Sequence, residues 1–314
     1  VDQKLGQDSY PGFHPNIHQI NTKKMAINRR NFFRTLGITG VALSTGKDLN
    51  ALPEKGDEKE FFGILYDSTR CVGCQTCELA CATANGLPEP DPEDYPVPGT
   101  IRKTNEKRRT VINAYTHEEL GEIYVKNQCM HCNTPACASA CLTQAMHKTE
   151  EGPVIWRDNK CMGCRYCMVS CPFDVPKFEY HSSNPDIVKC NMCYDRLKNG
   201  ELPACVANCP AEALTFGTRR ELIKEARRRI NDNPDLYYDG IYGENEAGGT
   251  GYLYLSPVPF EELGFNTKLQ KRSYPELSKG FLYSVPSIFV LWPAILLGIH
   301  NATKNNTKTT EDHA

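Results

Sequence analysis

No cysteine precedes Cys71 or follows Cys209, although the 314-residue chain holds sixteen. That confinement excludes a disulfide-stapled secreted scaffold, whose cysteines are spread to tie loops together. Charge of one sign is lacking too. Thirty-six basic against 38 acidic side chains leave a net charge of −2, so no global field points to nucleic acid. No glycine-rich nucleotide fingerprint follows a strand pattern, and no stretch is large enough for a molybdopterin domain. Only one apolar run reaches the length of a membrane span.

What the chain does have is cysteine in a fixed rhythm. Cys161–Pro172, C-M-G-C-R-Y-C-M-V-S-C-P, follows C-x2-C-x2-C-x3-C-P, the bacterial ferredoxin run that ligates a [4Fe–4S] cluster. Three close thiolates wrap one cubane; the fourth, carried onward toward a helix, serves a neighbouring cluster. The proline after it suits a helix start. Three more runs exist: Cys71, Cys74, Cys77 and Cys81; Cys129, Cys132, Cys137 and Cys141, with Leu142 where proline is usual; and Cys190, Cys193, Cys205 and Cys209, split by an eleven-residue insertion. Four runs make four ligand sets, so four [4Fe–4S] clusters would use all sixteen thiolates as iron ligands. Structural zinc also takes four thiolates, but joins two distant pairs; four cysteines within eleven residues fit that layout poorly. Residues 142–160 form a short link with an apolar V-I-W strand before Cys161. Such a link joins the halves of a two-cluster ferredoxin, which pairs run two with run three and leaves runs one and four as partners.

The flanks carry other signals. Residues 1–24 are polar and aperiodic and read as an over-extended start, with translation beginning at Met25. Residues 25–46 contain Arg29-Arg30 before Phe32-Phe33 and a weakly apolar run, a twin-arginine export signal. Asn28, Phe33 and Arg34 are conservative departures, no A-x-A cleavage site follows, and a basic amphipathic N-terminus is the plainer alternative. A charged linker (47–60) leads to F-F-G-I-L-Y-D at 61–67, a strand feeding the first run. The acidic loop 88–99 and basic patch 102–109 read as solvated surface insertions. Thr218 and Glu221 predict a capping box for a helix with Leu222, Ala226 and Ile230 as its apolar stripe, ended at Asn233-Pro234. A strand is expected at Tyr252–Leu255. Gly280–Ile299 has twenty uncharged residues, enough for a helix to cross about 30 Å of hydrocarbon. Pro286 and Pro293 would kink it or mark a helix–helix contact; a buried core helix is the alternative. The histidines, His131 and His147 included, read as packing or hydrogen-bonding residues. Lys160, Arg165 and Lys189 read as surface residues that could also raise a cluster potential.

The order of four runs, the insertion in the fourth, F-G-T-R-R-E-L after it and the C-terminal span resemble the iron–sulfur β subunits of membrane-bound formate dehydrogenase and the electron-transfer subunit of hydrogenase-2-type [NiFe] complexes. The resemblance covers most of residues 61–300. It implies one cubane on Cys71, Cys74, Cys77 and Cys209 and another on Cys190, Cys193, Cys205 and Cys81. The remaining two would use Cys129, Cys132, Cys137 and Cys171, then Cys161, Cys164, Cys167 and Cys141.

The expected fold is therefore α+β: two tandem ferredoxin-like modules with insertions in a four-cluster domain (61–265), a linker (266–279), one transmembrane helix (280–300) and a polar tail (301–314). With every thiolate used, none remains for a nickel–iron site, so no catalytic residue is expected. The chain reads as a wire. The resemblance implies a hydrogenase or formate dehydrogenase catalytic subunit on the periplasmic side and an integral membrane quinone-reducing subunit as partners. The chain's own export signal leans toward the hydrogenase type, and would place residues 45–279 outside the cytoplasmic membrane. Rival readings are the electron-input subunit of a quinol-dependent molybdopterin reductase and a zinc-stabilised structural module.

Overall fold

F-G-I-L-Y-D alternates its apolar side chains between two faces, and it forms the central strand, β1 (Phe62–Asp67). The computed structural model describes residues 60–91 and 93–311; the expected export signal lies outside the described residues. After β1 come α1 (Thr76–Ala84), β2 (Val111–His117), β3 (Gly121–Asn127), α2 (Ala136–Ser139), β4 (Met146–Lys148) and β5 (Val154–Trp156). Then follow α3 (Tyr166–Val169), β6 (Lys177–Phe178), β7 (Ile187–Val188), α4 (Tyr194–Lys198) and α5 (Ala204–Ala207). The chain continues through β8 (Leu214–Thr218), α6 (Arg219–Asp232) and β9 (Tyr252–Leu255) to α7 (Tyr274–Glu311). Mixed helix and strand content agrees with the expected α+β class.

β1 pairs antiparallel with β8 and parallel with β9. The strand leading into run one thus lies beside the strand leaving run four. Ile64 and Tyr66 pack on one face with Tyr252, Tyr254 and Cys77, while Leu65 packs on the other with Leu253, Leu255 and the α6 stripe Leu222, Ala226 and Ile230. The sheet therefore separates α6 from the cysteines. Helix α6 starts as its sequence demands: Thr218 accepts from Glu221 N–H and the Glu221 carboxylate accepts from Thr218 N–H.

The link 142–160 folds as the β4–β5 hairpin, and β6–β7 forms a second short hairpin. Between runs one and two stands a longer hairpin, β2–β3, that periodicity did not announce. The acidic loop and basic patch are not simply solvated. Arg102 is buried, with a bidentate pair to Glu78 of α1 at 2.7 and 2.9 Å and a third bond to Asp94 at 2.9 Å. Glu78 also accepts from Ile112 N–H at 2.7 Å. A carboxylate inside α1 needed a fixed partner, and the insertion supplies it.

Helix α7 runs through Pro286 and Pro293 and touches α2. Its Tyr274–Asn301 portion has a mean hydropathy of 1.9 and is long and apolar enough to cross a membrane. None of its apolar window is buried against the rest of the protein, which removes the core-helix alternative.

Candidate iron–sulfur sites

The four runs share one backbone device. The residue before the second cysteine has positive φ in each: Gly73 at 70°, His131 at 48°, Gly163 at 68° and Met192 at 55°. A left-handed residue there curls the loop so that successive thiols turn to one side. Glycine adopts it freely, whereas His131 and Met192 are held against a cost of about 1–2 kcal/mol each. Such strain collects at functional sites. The third residue past the last cysteine repeats the conformation in three runs, at Gln144, Asp174 and Glu212.

These loops bring together cysteines far apart in sequence. Cys71, Cys74, Cys77 and Cys209 line one cavity, which opens on about 340 Å³ of atom-free space. Cys141, Cys161, Cys164 and Cys167 line a second, of about 320 Å³. The other eight show their neighbours through electrostatics. Burial pushes Cys132 well up, and Cys129, Cys171 and Cys137 push it further. Burial raises Cys81 to about 12, with Cys205 and Cys193 adding to it and Lys126 opposing. Cys190 is raised by burial and by Cys81, Cys129 and Cys205. Neighbouring groups act on one another electrostatically in turn: Cys77 feels Cys205, Cys190 feels Cys129, and Cys137 feels Cys167.

Several donors already point at sulfur. Met146 N–H reaches Cys141 Sγ at 3.4 Å, and Met192 N–H reaches Cys190 Sγ at 3.3 Å. Asn85 Nδ2 lies 3.6 Å from Cys81 Sγ. Burial alone would raise Cys141, but backbone and Thr143 donors outweigh it and lower the thiol.

Does a cluster suit these residues? Among the described residues, no three His, Cys, Asp or Glu side chains converge closely enough for one metal ion. A tetrahedral zinc would need its four sulfurs about 3.8 Å apart, whereas a four-iron cage would hold its thiolates farther apart, at its corners. Among the buried donors without a protein partner are Tyr252 Oη, His131 Nε2 and Trp156 Nε1. Buried donors rarely go unpaired. Trp156 lines the Cys141–Cys161 cavity, Tyr252 lies beside Cys205, Cys190 and Cys77, and His131 sits between Cys129 and Cys132. Cluster and thiolate sulfur would supply acceptors. His131 itself accepts from Val154 N–H at 2.9 Å through Nδ1, the hydrogen-bonding role expected for it.

Some charged residues depart from the sequence reading. Lys189 is not a surface lysine: it is 4 % exposed and donates to the carbonyls of Val154 and Cys190. Lys160 is exposed, and Arg165 is exposed but stacks on Phe178 and Tyr180. Sequence reasoning missed Lys126 and Tyr252. Only the position of Lys126 three residues before Cys129 could have drawn notice.

Comparison with known proteins accords with this geometry. The family described as 4Fe-4S dicluster domain matches residues 121–219. The hydrogenase-2 operon protein HybA of Escherichia coli O157:H7 is 35 % identical, over 91 % of this chain and 97 % of its own length. The iron–sulfur subunit of formate dehydrogenase-O of Escherichia coli K12 is 31 % identical over 68 % of this chain and 73 % of its own. The B subunit of anaerobic dimethyl sulfoxide reductase from the same strain is 38 % identical over 52 % and 77 %. The likeness thus extends along nearly the whole chain, which belongs to the family of iron–sulfur electron-transfer subunits, non-catalytic members of oxidoreductase complexes.

Proposed function

We propose that this chain relays electrons through four [4Fe–4S] clusters between a catalytic subunit and a quinone-reducing membrane subunit. The observation carrying this is the sequence of thiol neighbours across the molecule. Cys71, Cys74, Cys77 and Cys209 form one ligand set, with Cys81, Cys190, Cys193 and Cys205 next. Cys129, Cys132, Cys137 and Cys171 follow, and Cys141, Cys161, Cys164 and Cys167 end the row. Runs one and four then form one ferredoxin-like module and runs two and three the other. Each cluster, when bound, supplies a one-electron centre. The protein's residues hold the thiolates in place, exclude water and donate hydrogen bonds to sulfur.

Both ends of the row are accessible, because Cys74 and Cys164 are exposed while no cysteine of the two middle sets is. Contact between α7 and α2 supports runs two and three as the module nearest the membrane. The Cys161 set is therefore the quinone side and the Cys71 set the catalytic side. Arg29-Arg30 supports a periplasmic globular domain with a single C-terminal span. The near full-length match to the hydrogenase-2 operon protein favours hydrogen over formate as the substrate of the partner.

Similarity to a dimethyl sulfoxide reductase subunit supports a second reading, in which electrons run from quinol to a reductase. Purification of the intact membrane complex separates the two. The relay reading expects iron for four clusters and hydrogen- or formate-dependent quinone reduction. Quinol-dependent reduction of a sulfoxide, with neither of those activities, would establish the reverse direction. A colourless, zinc-loaded protein would end both readings.

A further inference from the structure

Lys126, near the end of β3, is 1 % exposed. Its Nζ donates to Thr110 Oγ1 at 2.6 Å and to Gln128 Oε1 at 3.0 Å, both uncharged acceptors. The ammonium also lies 5.5 Å from the centroid of the Tyr252 ring. No ion pair among the described residues includes it. A buried ammonium without a carboxylate is costly unless other negative charge stands close. The Tyr252 ring packs in one core with Cys77 of one set and Cys205 of the other, and the sulfurs that act on the ammonium are those two with Cys190 and Cys81, which would hold iron as thiolates.

Other charges nearby are differently placed. Glu78, beside Cys77, is already paired with Arg102. Arg109 acts on Cys81 from the insertion and Arg196, beside Cys193, pairs with Glu201. Lys189 acts on Cys137 and Cys171, and Lys148 stands beside Cys132 and Cys129. Lys126 alone in this group is felt by Cys77 and by Cys81, Cys190 and Cys193.

A cubane with four thiolates carries net negative charge, and more of it once reduced. A fixed cation in a water-poor site therefore favours the reduced form. We propose that Lys126 is a positioning residue for electron transfer: a shared buried countercharge that raises the potentials of the Cys71-based and Cys190-based clusters together. The proposal rests on the ligand sets given above.

The test is a redox titration, followed by electron paramagnetic resonance, of the full chain in its membrane complex. Cys209→Ser and Cys81→Ser variants assign the signals, and iron content is measured throughout. Lys126→Met is expected to lower the midpoint potentials of those two clusters and leave the other two in place, while Lys126→Arg, which keeps the charge, stays near the wild type. Unshifted potentials in an iron-replete Lys126→Met protein would overturn the proposal, as would an equal shift of all four clusters. If Lys126→Met loses iron, Thr110→Asp decides: it retains the lysine but sets a carboxylate against it, and must lower the same two potentials. Too little iron for four clusters in the wild type would instead refute the ligand sets, a failure separate from that of Lys126.

Discussion

At Gly73 and Gly163 the same backbone turn occurs with different surroundings, which makes the two glycines a controlled pair. A Cβ on Gly163 would meet only Phe178, at 3.9 Å, whereas one on Gly73 would meet the Tyr124 ring at 2.4 Å. Gly163→Ala should cost about 1–2 kcal/mol through left-handed strain alone, and Gly73→Ala more. Anaerobic denaturant unfolding of both variants checks the order. Buried charge gives a second residue-scale prediction. Asp67 is fully buried and accepts from Arg229 at 3.0 Å and from Tyr237 at 2.8 Å. Arg229→Ala leaves that carboxylate only the partly exposed Arg70, at 3.6 Å, as its cation and should cost about 3 kcal/mol, the low end for breaking a buried pair. Arg228, exposed on the same helix, should be replaceable by alanine without measurable loss of stability.

Among the elements, α6 and β9 were legible because they obey local rules. The capping box and the Leu222–Ala226–Ile230 stripe announce a helix, and Y-L-Y-L alternates between two buried faces. The β2–β3 hairpin was not legible, since V-I-N-A is buried at four consecutive positions and period two is lost. Arg102, Lys126 and Lys189 were misplaced or missed for a related reason. Periodicity reports where apolar groups go, and cannot tell that a charge will be enclosed by partners contributed from elsewhere. Helix α7 carries its own prediction. A chain ended at residue 273 should be released from membranes by alkaline carbonate, whereas the full chain stays bound. Release of both would show that α7 does not span the bilayer.

For the whole molecule the expectations concern assembly. Cys171→Ala should deplete the cluster built on Cys129, Cys132 and Cys137 and spare the one built on Cys161, Cys164 and Cys167. Loss confined to the latter would refute the exchanged pairing. Acidity should also matter, in a definite direction. Burial raises Cys81 and Cys137 to about 12 and Cys167 to about 11, so these thiols hold protons near neutrality until iron displaces them. Cluster binding then releases protons, and retention strengthens as pH rises toward that range and weakens as it falls. Iron retained against a chelator, corrected for the chelator's own protonation, should therefore be greater at about pH 8 than at about pH 6.

Sequence by itself determined the cofactor class, the elements β1, β5, α6 and β9, and the apolar C-terminal helix. Each of these is written in short-range spacing: ligands three and four residues apart, side chains alternating by two, a cap three residues from its partner. The tertiary structure brings Cys209 to the first loop, a pairing the short link 142–160 and the resemblance already led to expect, and it alone set lysines among the sulfurs. Cys209 returns because β1 pairs with β8 across some 150 residues of intervening chain. Long-range pairing follows from burying both faces of that strand, and no local pattern specifies it.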